Sequence, residues 1–141
     1  MTWLKHILAI ALAAAMLFMG LQKFGADNFI FATIAQKSGI GFFEPAFRMF
    51  SGVLEVIAGL LMLLPRTRCA GAALATGIVA GAVVFHLSPW LGTKLPMEAG
   101  GEPTYTLFIM ALVFLVLALV NLLLNRTSVP ILGSLFTKNK Y

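Results

Sequence analysis

Hydrophobic residues fill four long segments of the chain, and polar residues collect between them. The segments run from about Trp3 to Phe24, Pro45 to Leu64, Thr67 to Leu87 and Pro103 to Leu124. An α-helix needs about 20 residues to cross a hydrocarbon core of about 30 Å, and in lipid a helix satisfies its own backbone groups. The pattern therefore predicts an all-α membrane protein, a four-transmembrane-helix bundle with residues 1–124 as its single domain.

Two stretches outside these segments have patterns of their own. The first connection contains FIFATIAQKSGI, Phe29 to Ile40, which is apolar but too short to span. It predicts a short interfacial or re-entrant helix. The connection SPWLGTKLPMEAGGEPTY carries Trp90 and Tyr105, aromatic residues that are typical of the membrane interface. Residues 125–141 are predicted to form a tail on the cytoplasmic surface.

The first segment has an alternative interpretation as a signal peptide. Lys5 precedes an apolar run that contains small residues at Ala13 to Ala15. These small residues lie inside the apolar run rather than after it, and the run continues to Phe24. A first membrane span is therefore favoured.

Composition supports a membrane location. Of the 141 residues, 60% are hydrophobic and 11% are charged, whereas a soluble domain has about 25% charged residues. The net charge of +5 does not indicate nucleic-acid binding, because the basic residues are scattered and form no tract. Basic residues are more frequent on the side of the two termini, which predicts a bacterial-type inner (plasma) membrane protein with both termini cytoplasmic. Those residues are Lys5, Arg66, Arg68, Arg126, Lys138 and Lys140.

Glu55 is a carboxylate in the middle of the apolar run from Phe47 to Leu64. A charge at the centre of a membrane helix costs about 2.5–3.5 kcal/mol and usually faces protein or water. Helical spacing places Glu55 on a face with small residues and one further charge, which predicts a face turned towards the neighbouring helices. The other members of this face are Arg48, Ser51, Gly52, Ala58, Gly59 and Met62.

Two arrangements of these charges remain open from the sequence. Arg48 lies two helical turns from Glu55, about 10 Å along the axis, so the two residues either form a buried pair or share a pocket. Lys23, Arg48 and His86 are expected at the outer membrane surface, with Glu55 about 15 Å below the helix start. This favours an outward-opening pocket with a basic rim and with Glu55 at its floor.

His86 and the small residues of the third segment also have two interpretations each. A histidine at a helix end either makes interfacial hydrogen bonds or exchanges protons near neutral pH. The pattern of Ala73, Gly77 and Gly81 is typical of close helix packing, inside the bundle rather than in a homodimer. The same packing role is predicted for Gly52 and Gly59.

The sequence contains no recognisable cofactor motif. Cys69 is the single cysteine, which excludes an internal disulfide and a cysteine cluster. His6 and His86 are expected on opposite sides of the membrane, so they do not predict a metal site. No haem, flavin or iron–sulfur signature is present, and the cofactor is left unknown.

Three stretches, FMGLQKF, RMFSGVLEVIAGLLMLLP and GAALATGIVAGAVVFHL, are similar in order and spacing to the DoxX-like family of small four-helix membrane proteins. The resemblance covers most of the chain, to about Leu124, and implies a four-helix bundle. It also implies membrane-linked redox chemistry, as in subunits of a thiosulfate:quinone oxidoreductase. The matching residues are Gly20, Lys23, Glu55, Gly59, Pro65 and His86.

By this resemblance, Lys23, Glu55 and His86 are candidates for a quinone or substrate pocket. Glu55 and His86 are the candidate catalytic residues, as a proton relay and as a hydrogen-bond donor to a quinone oxygen. Lys23 or Arg48 would stabilise developing negative charge. The expected partners are the lipid bilayer, a peripheral or membrane oxidoreductase subunit, and a second copy in a homo-oligomer.

Two other functions remain open. The first is a non-catalytic scaffold or assembly factor for peripheral oxidoreductases, which is consistent with the basic tail and its apolar segment Ile131 to Phe136. The second is a small transporter or lipid-binding protein that uses the same pocket. The sequence shows no inverted repeat, which makes an independent transporter less favoured.

Overall fold

Five α-helices account for most of the chain in a computed structural model that describes residues 2–128. We number them α1 (Thr2–Gln22), α2 (Phe29–Ser38), α3 (Ala46–Leu63), α4 (Arg68–Leu87) and α5 (Thr106–Asn125). Two short 3-10 turns cover Gly41–Phe43 and Arg126–Ser128. The predicted tail begins in the last residue of α5 and the second of these turns, and residues 129–141 lie outside the described residues.

Four of the helices, α1, α3, α4 and α5, are long and apolar enough to span a membrane. This confirms the predicted all-α four-helix bundle. The largest difference in bounds is at the start of α5, which was predicted at Pro103 and is observed at Thr106. Helix α1 packs against α3 and α5, and α4 packs against α3 and α5, so the four spans form a closed ring in the order α1, α3, α4, α5.

The centre of this ring is filled by small and flexible apolar side chains. Leu12 and Met16 of α1 are fully buried against Met62 of α3 and several alanines. Large apolar residues such as Trp3, Phe18 and Val113 lie on the outside of the bundle. This distribution is the one expected where lipid, rather than a second protein layer, covers the outer surface.

Glycines bring α1 and α3 into close contact. A Cβ atom added at Gly20 would lie 2.9 Å from the carbonyl oxygen of Gly52, and a Cβ added at Gly52 would lie 2.9 Å from the Cβ of Lys23. One added at Gly59 would lie 3.0 Å from the carbonyl oxygen of Ala13. Gly20, Gly52 and Gly59 are therefore packing residues of the α1–α3 crossing.

The prediction that Gly77 and Gly81 pack against a neighbouring helix is wrong. Within residues 2–128, a Cβ added at either glycine meets no atom within 4 Å outside its immediate helical surroundings. Ala73 and Gly77 are exposed and Gly81 is half-buried. Both glycines instead line the cavity described below.

One end of the bundle is covered by a second, smaller apolar cluster. Ile34 of α2, Leu91 and Leu95 are buried together, with Phe85 and Trp90 packed against them. We call this end, which carries α2 and the connection 88–105, the loop end, and the opposite end, which carries Thr2 and Asn125, the terminal end. Helix α2 is the short helix predicted between the first two spans.

Helix α2 has local capping at both of its ends. The side chain of Asn28 accepts hydrogen bonds from the backbone amides of Ile30 and Phe31, as expected for an N-cap residue. Gly39 ends the helix in the left-handed conformation, with a φ of 73°, which favours glycine. These caps fix the two ends of α2, which lies between α1 and α3 in the sequence.

Candidate functional site: a cavity lined by an ion pair and a histidine

A cavity of about 460 Å³ lies between α3 and α4 and extends under α2. This volume is within the range of small-molecule sites in proteins. Its polar lining residues are Lys23, Ser51, Glu55 and His86, and the rest of its lining is apolar or glycine. The cavity therefore brings together three of the four residues predicted for a pocket, namely Lys23, Glu55 and His86.

Lys23 and Glu55 form an ion pair in the wall of the cavity. The Nζ atom of Lys23 donates to Oε1 of Glu55 at 2.8 Å and to Oε2 at 2.7 Å. Glu55 is only 5% exposed, and the Lys23 side chain is also largely buried. Each charge is balanced by the other, which explains how a carboxylate persists inside a membrane-spanning helix.

The close crossing of α1 and α3 positions this ion pair. Gly20 lies against the Cβ of Glu55, and Gly52 lies against the Cβ of Lys23. A larger residue at either glycine would separate the helices and lengthen the distance between the two charges. The pair thus depends on two glycines that are themselves distant in sequence.

His86 lies at the loop end of α4 and is 6% exposed. Its Nδ1 atom is 2.9 Å from the carbonyl oxygen of Gly92. A carbonyl oxygen can only accept, so Nδ1 carries the proton of this hydrogen bond. Among residues 2–128, no partner is recorded for Nε2 of the same ring. A neutral His86 ring can therefore offer Nε2 as an acceptor to a bound molecule.

The exposed part of the cavity lining belongs to two of the spanning helices. The apolar cluster around Ile34 and Leu91 covers the loop end. The exposed lining residues, Phe50, Ala73, Gly77 and Ala82, all lie in α3 and α4, and Phe50 is 56% exposed. The direction in which the pocket opens relative to the membrane stays a prediction.

Arg48 was predicted as a pocket residue but does not line the cavity, and the alternative of a buried pair with Glu55 is not observed either, since Glu55 pairs with Lys23. Arg48 is 2% exposed and forms an ion pair with Glu44, with Nη2 at 2.7 Å from Oε1. Its guanidinium also donates to the carbonyl oxygens of Lys23, Gly25 at 2.8 Å and Ala26 at 3.3 Å. Arg48 therefore holds the C-terminal end of α1, where a cation is favourable.

The sequence spacing of Glu44 and Arg48 already favours an ion pair between these two residues. The two residues are four apart, a separation at which oppositely charged side chains meet along a helical turn. Arg48 therefore has its acidic partner four residues before it in the chain. Glu55 needs a cation from another helix segment, and this cation is the ammonium group of Lys23.

Aromatic residues in the cavity wall were not predicted as site residues. Phe47 lies 6.2 Å from Phe31, 6.5 Å from Phe50 and 6.1 Å from Phe85, measured between ring centroids. All four rings line the cavity. The run GFFEPAFRMF, residues 41–50, leads into α3 and contains Phe47 and Phe50. Its richness in phenylalanine is the sequence signal for part of this cluster.

The terminal end carries a separate polar pair. Nη1 of Arg68 lies 2.8 Å from Nδ1 of His6, and Nε of Arg68 donates to the carbonyl oxygen of Met62 at 2.9 Å. Arginine has no acceptor atom, so the histidine nitrogen accepts. Asn121 of α5 donates to the carbonyl oxygen of Leu8 in α1 at 3.3 Å. These groups tie helix ends together and are not part of the cavity lining.

The described residues contain no group of three or more His, Cys, Asp or Glu that could hold a metal ion. Comparisons with protein-family models, with curated proteins and with solved structures gave no match. The fold and the cavity together define a class of protein: a four-helix bundle with membrane-spanning dimensions and an internal cavity lined by an ion pair and a histidine.

Proposed function

We propose that this protein is an integral membrane protein that binds a quinone-type, lipid-soluble redox carrier in the cavity between α3 and α4. The observation that carries the proposal is the lining itself: a buried ion pair and a buried histidine in an otherwise apolar cavity between two spanning helices. Such sites hold an apolar ligand and orient it with a few polar groups. A quinone fits this requirement because it has carbonyl oxygens on a flat apolar ring.

The residues of the cavity have distinct parts in this proposal. The Phe47 cluster would hold the faces of the ring by aromatic packing. His86 and Lys23 are the groups that can donate hydrogen bonds to a carbonyl oxygen, His86 through Nε2 when its ring is charged. Glu55 is the group that can accept or pass on a proton. When bound, the quinone supplies two-electron redox chemistry, and the electrons would come from a partner oxidoreductase subunit.

The proposal is tested by measuring quinone binding to the full-length protein in lipid nanodiscs. A benzoquinone with a short chain is titrated against the wild type, His86→Phe and Leu87→Phe. Loss of one hydrogen bond of about 1.4 kcal/mol corresponds to about a tenfold weaker affinity, and we expect this for His86→Phe. Leu87 is exposed and does not line the cavity, so Leu87→Phe is the matched control and should bind like the wild type.

Two results would refute the quinone assignment. One is the absence of saturable binding by the wild type, and the other is equal affinity of the wild type and His86→Phe. A lipid-binding protein without redox chemistry is then the second candidate, because a largely apolar cavity between spanning helices also suits a lipid chain. Mass spectrometry of molecules that co-purify with the protein, but not with a Gly77→Phe variant, would identify that lipid.

A further inference from the structure

The terminal end of the bundle carries four cations that have no acidic partner. Lys5 lies in the first turn of α1, Arg66 in the connection between α3 and α4, Arg68 at the start of α4, and Arg126 directly after α5. Arg66 and Arg126 are exposed, and Lys5 is half-buried. The ion pairs recorded within residues 2–128 involve none of the four. Their charges are therefore not balanced by that part of the chain.

The acidic residues of the sequence all lie away from the terminal end. There are five in total. Asp27, Glu44, Glu98 and Glu102 belong to the connections at the loop end, and Glu55 lies in the middle of α3, where it has its own cationic partner. No carboxylate side chain of the sequence is thus available to neutralise the terminal end, and the counter-charge has to come from another molecule.

Arg68 is the buried member of this group of cations. It is 3% exposed, and its guanidinium bonds to the carbonyl oxygen of Met62 and to Nδ1 of His6. Buried charges in proteins are usually paired with an opposite charge, whereas both of these acceptors are neutral groups. The two bonds hold the side chain in place but leave its charge uncompensated, so Arg68 adds to the positive potential of the terminal end.

The surroundings of the cations indicate the chemistry of the missing anion. Four helices with spanning dimensions have an end here, which is the level of the lipid headgroups in a bilayer. Trp3 and Leu64 are 67% and 60% exposed and lie two residues from Lys5 and Arg66 in the chain. The surface therefore offers cations for a phosphate group and, beside them, apolar side chains for acyl chains. A phospholipid has both parts, whereas a free phosphate ion has only the first.

We propose that the terminal end binds the headgroups of anionic phospholipids, with Arg66 and Arg126 as the exposed contacting cations and Lys5 beside them. Basic residues next to spanning helices attract anionic headgroups, and salt weakens this attraction. The inference goes beyond the proposed function and does not depend on what the cavity binds.

Fluorescence quenching by brominated lipids tests this surface, because the sequence has only two tryptophans, Trp3 at the terminal end and Trp90 at the loop end. The full-length Trp90→Phe protein retains Trp3 alone. It is reconstituted into phosphatidylcholine vesicles with rising fractions of brominated phosphatidylglycerol or of brominated phosphatidylcholine. One cation near the surface corresponds to about a fivefold preference for the anionic lipid. We expect half-maximal quenching of Trp3 at about a fivefold lower fraction of brominated phosphatidylglycerol.

Two double variants in the Trp90→Phe background identify the cations. Arg66→Gln/Arg126→Gln removes two exposed cations from the terminal end, and Lys37→Gln/Lys94→Gln removes two exposed cations from the loop end. The change in net charge is the same in both. We expect the preference at Trp3 to fall below about twofold in the first variant, because the contacting cations are gone. The second variant is the matched control and should keep the preference of its parent.

The outcomes decide between a lipid surface and other uses of the cations. Equal quenching by the two brominated lipids in the parent protein would overturn the inference. So would an equal loss of preference in the two double variants, or an unchanged preference in Arg66→Gln/Arg126→Gln. A preference that is abolished by millimolar inorganic phosphate, but not by sodium chloride of the same ionic strength, would assign the surface to free phosphate instead. Failure of quinone binding would leave the inference standing.

Discussion

The ammonium group of Lys23 donates to both carboxylate oxygens of Glu55, at 2.8 and 2.7 Å, although the two residues are 32 positions apart. Lys23 follows the last turn of α1, and Glu55 lies in the middle of α3. Both side chains are largely buried, and both line the cavity. A change in this pair should therefore affect the stability of the bundle as well as binding in the cavity.

Removing one member of this pair should destabilise the protein. Glu55→Gln leaves Lys23 without its counter-charge, and Lys23→Met leaves Glu55 without one. Breaking a buried ion pair from one side costs about 3–5 kcal/mol. Unfolding of the purified variants in detergent, followed by circular dichroism, measures the loss.

The double variant Lys23→Met/Glu55→Leu is the control for this prediction. When both residues are replaced, no buried charge is left without a counter-charge, so we expect a stability close to that of the wild type. Quinone binding should remain impaired in the double variant, because the cavity lining loses both of its charges. Losses in stability that simply add in the double variant would show that the two charges do not interact.

Gly20→Ala should destabilise the α1–α3 crossing. Its new methyl group would lie 2.9 Å from the carbonyl oxygen of Gly52, and backbone cannot move aside as a flexible side chain can. Overpacking of this kind costs about 1–3 kcal/mol. Gly77→Ala is the matched control, because a Cβ atom added at Gly77 meets no atom within 4 Å. Its stability should equal that of the wild type or exceed it by up to about 1 kcal/mol, since alanine has a higher helix propensity than glycine. Equal melting temperatures of the two variants would contradict the close crossing.

Arg48→Lys should lower stability without lowering the affinity of the cavity. Lysine cannot reproduce the set of bonds that the guanidinium makes to Glu44 and to the carbonyl oxygens at the end of α1. Each hydrogen bond of a charged group contributes about 1.5–3 kcal/mol. Quinone affinity of the folded variant, measured below its melting temperature, is the discriminating quantity. A tenfold loss of quinone affinity with unchanged stability would contradict this prediction and show that Arg48 takes part in binding.

The predicted orientation can be tested by cysteine labelling. In a Cys69→Ser background, Lys37→Cys labels the loop end and Arg126→Cys labels the terminal end, and both positions are exposed. If the termini are cytoplasmic, a membrane-impermeant maleimide should modify Lys37→Cys in intact cells and Arg126→Cys only after permeabilisation. This orientation is predicted from the distribution of Lys and Arg between the two sides of the membrane. The opposite labelling pattern would show that the termini are on the outer side.

Much of the fold could be predicted because its signals are local. Runs of about 20 apolar residues predict the four spans, and the Phe29–Ile40 stretch predicts a helix where α2 is observed. The helical period also placed Glu55 and Gly52 on the buried side of α3, where the structure has them. None of these conclusions requires knowledge of which helices are neighbours.

The site was predictable only in part, because similar residue patterns have different surroundings. Gly52 and Gly77 both belong to small-residue helix faces, yet Gly52 contacts Lys23 and Gly20 whereas Gly77 borders the cavity. The sequence offered Arg48 as a possible partner of Glu55, whereas the structure pairs Glu55 with Lys23. The i and i+4 spacing of Glu44 and Arg48 favoured a local pair, but no sequence pattern linked Lys23 to Glu55.

The number of spans, their apolar outer faces and the inward direction of Glu55 follow from hydropathy and helical period, which are properties of single segments. The pairing of Lys23 with Glu55, the role of Arg48 at the end of α1, and the cavity beside the small residues of α4 are visible only in the folded bundle. They depend on which helices are neighbours and on how closely those helices approach, as at the glycine contacts between α1 and α3.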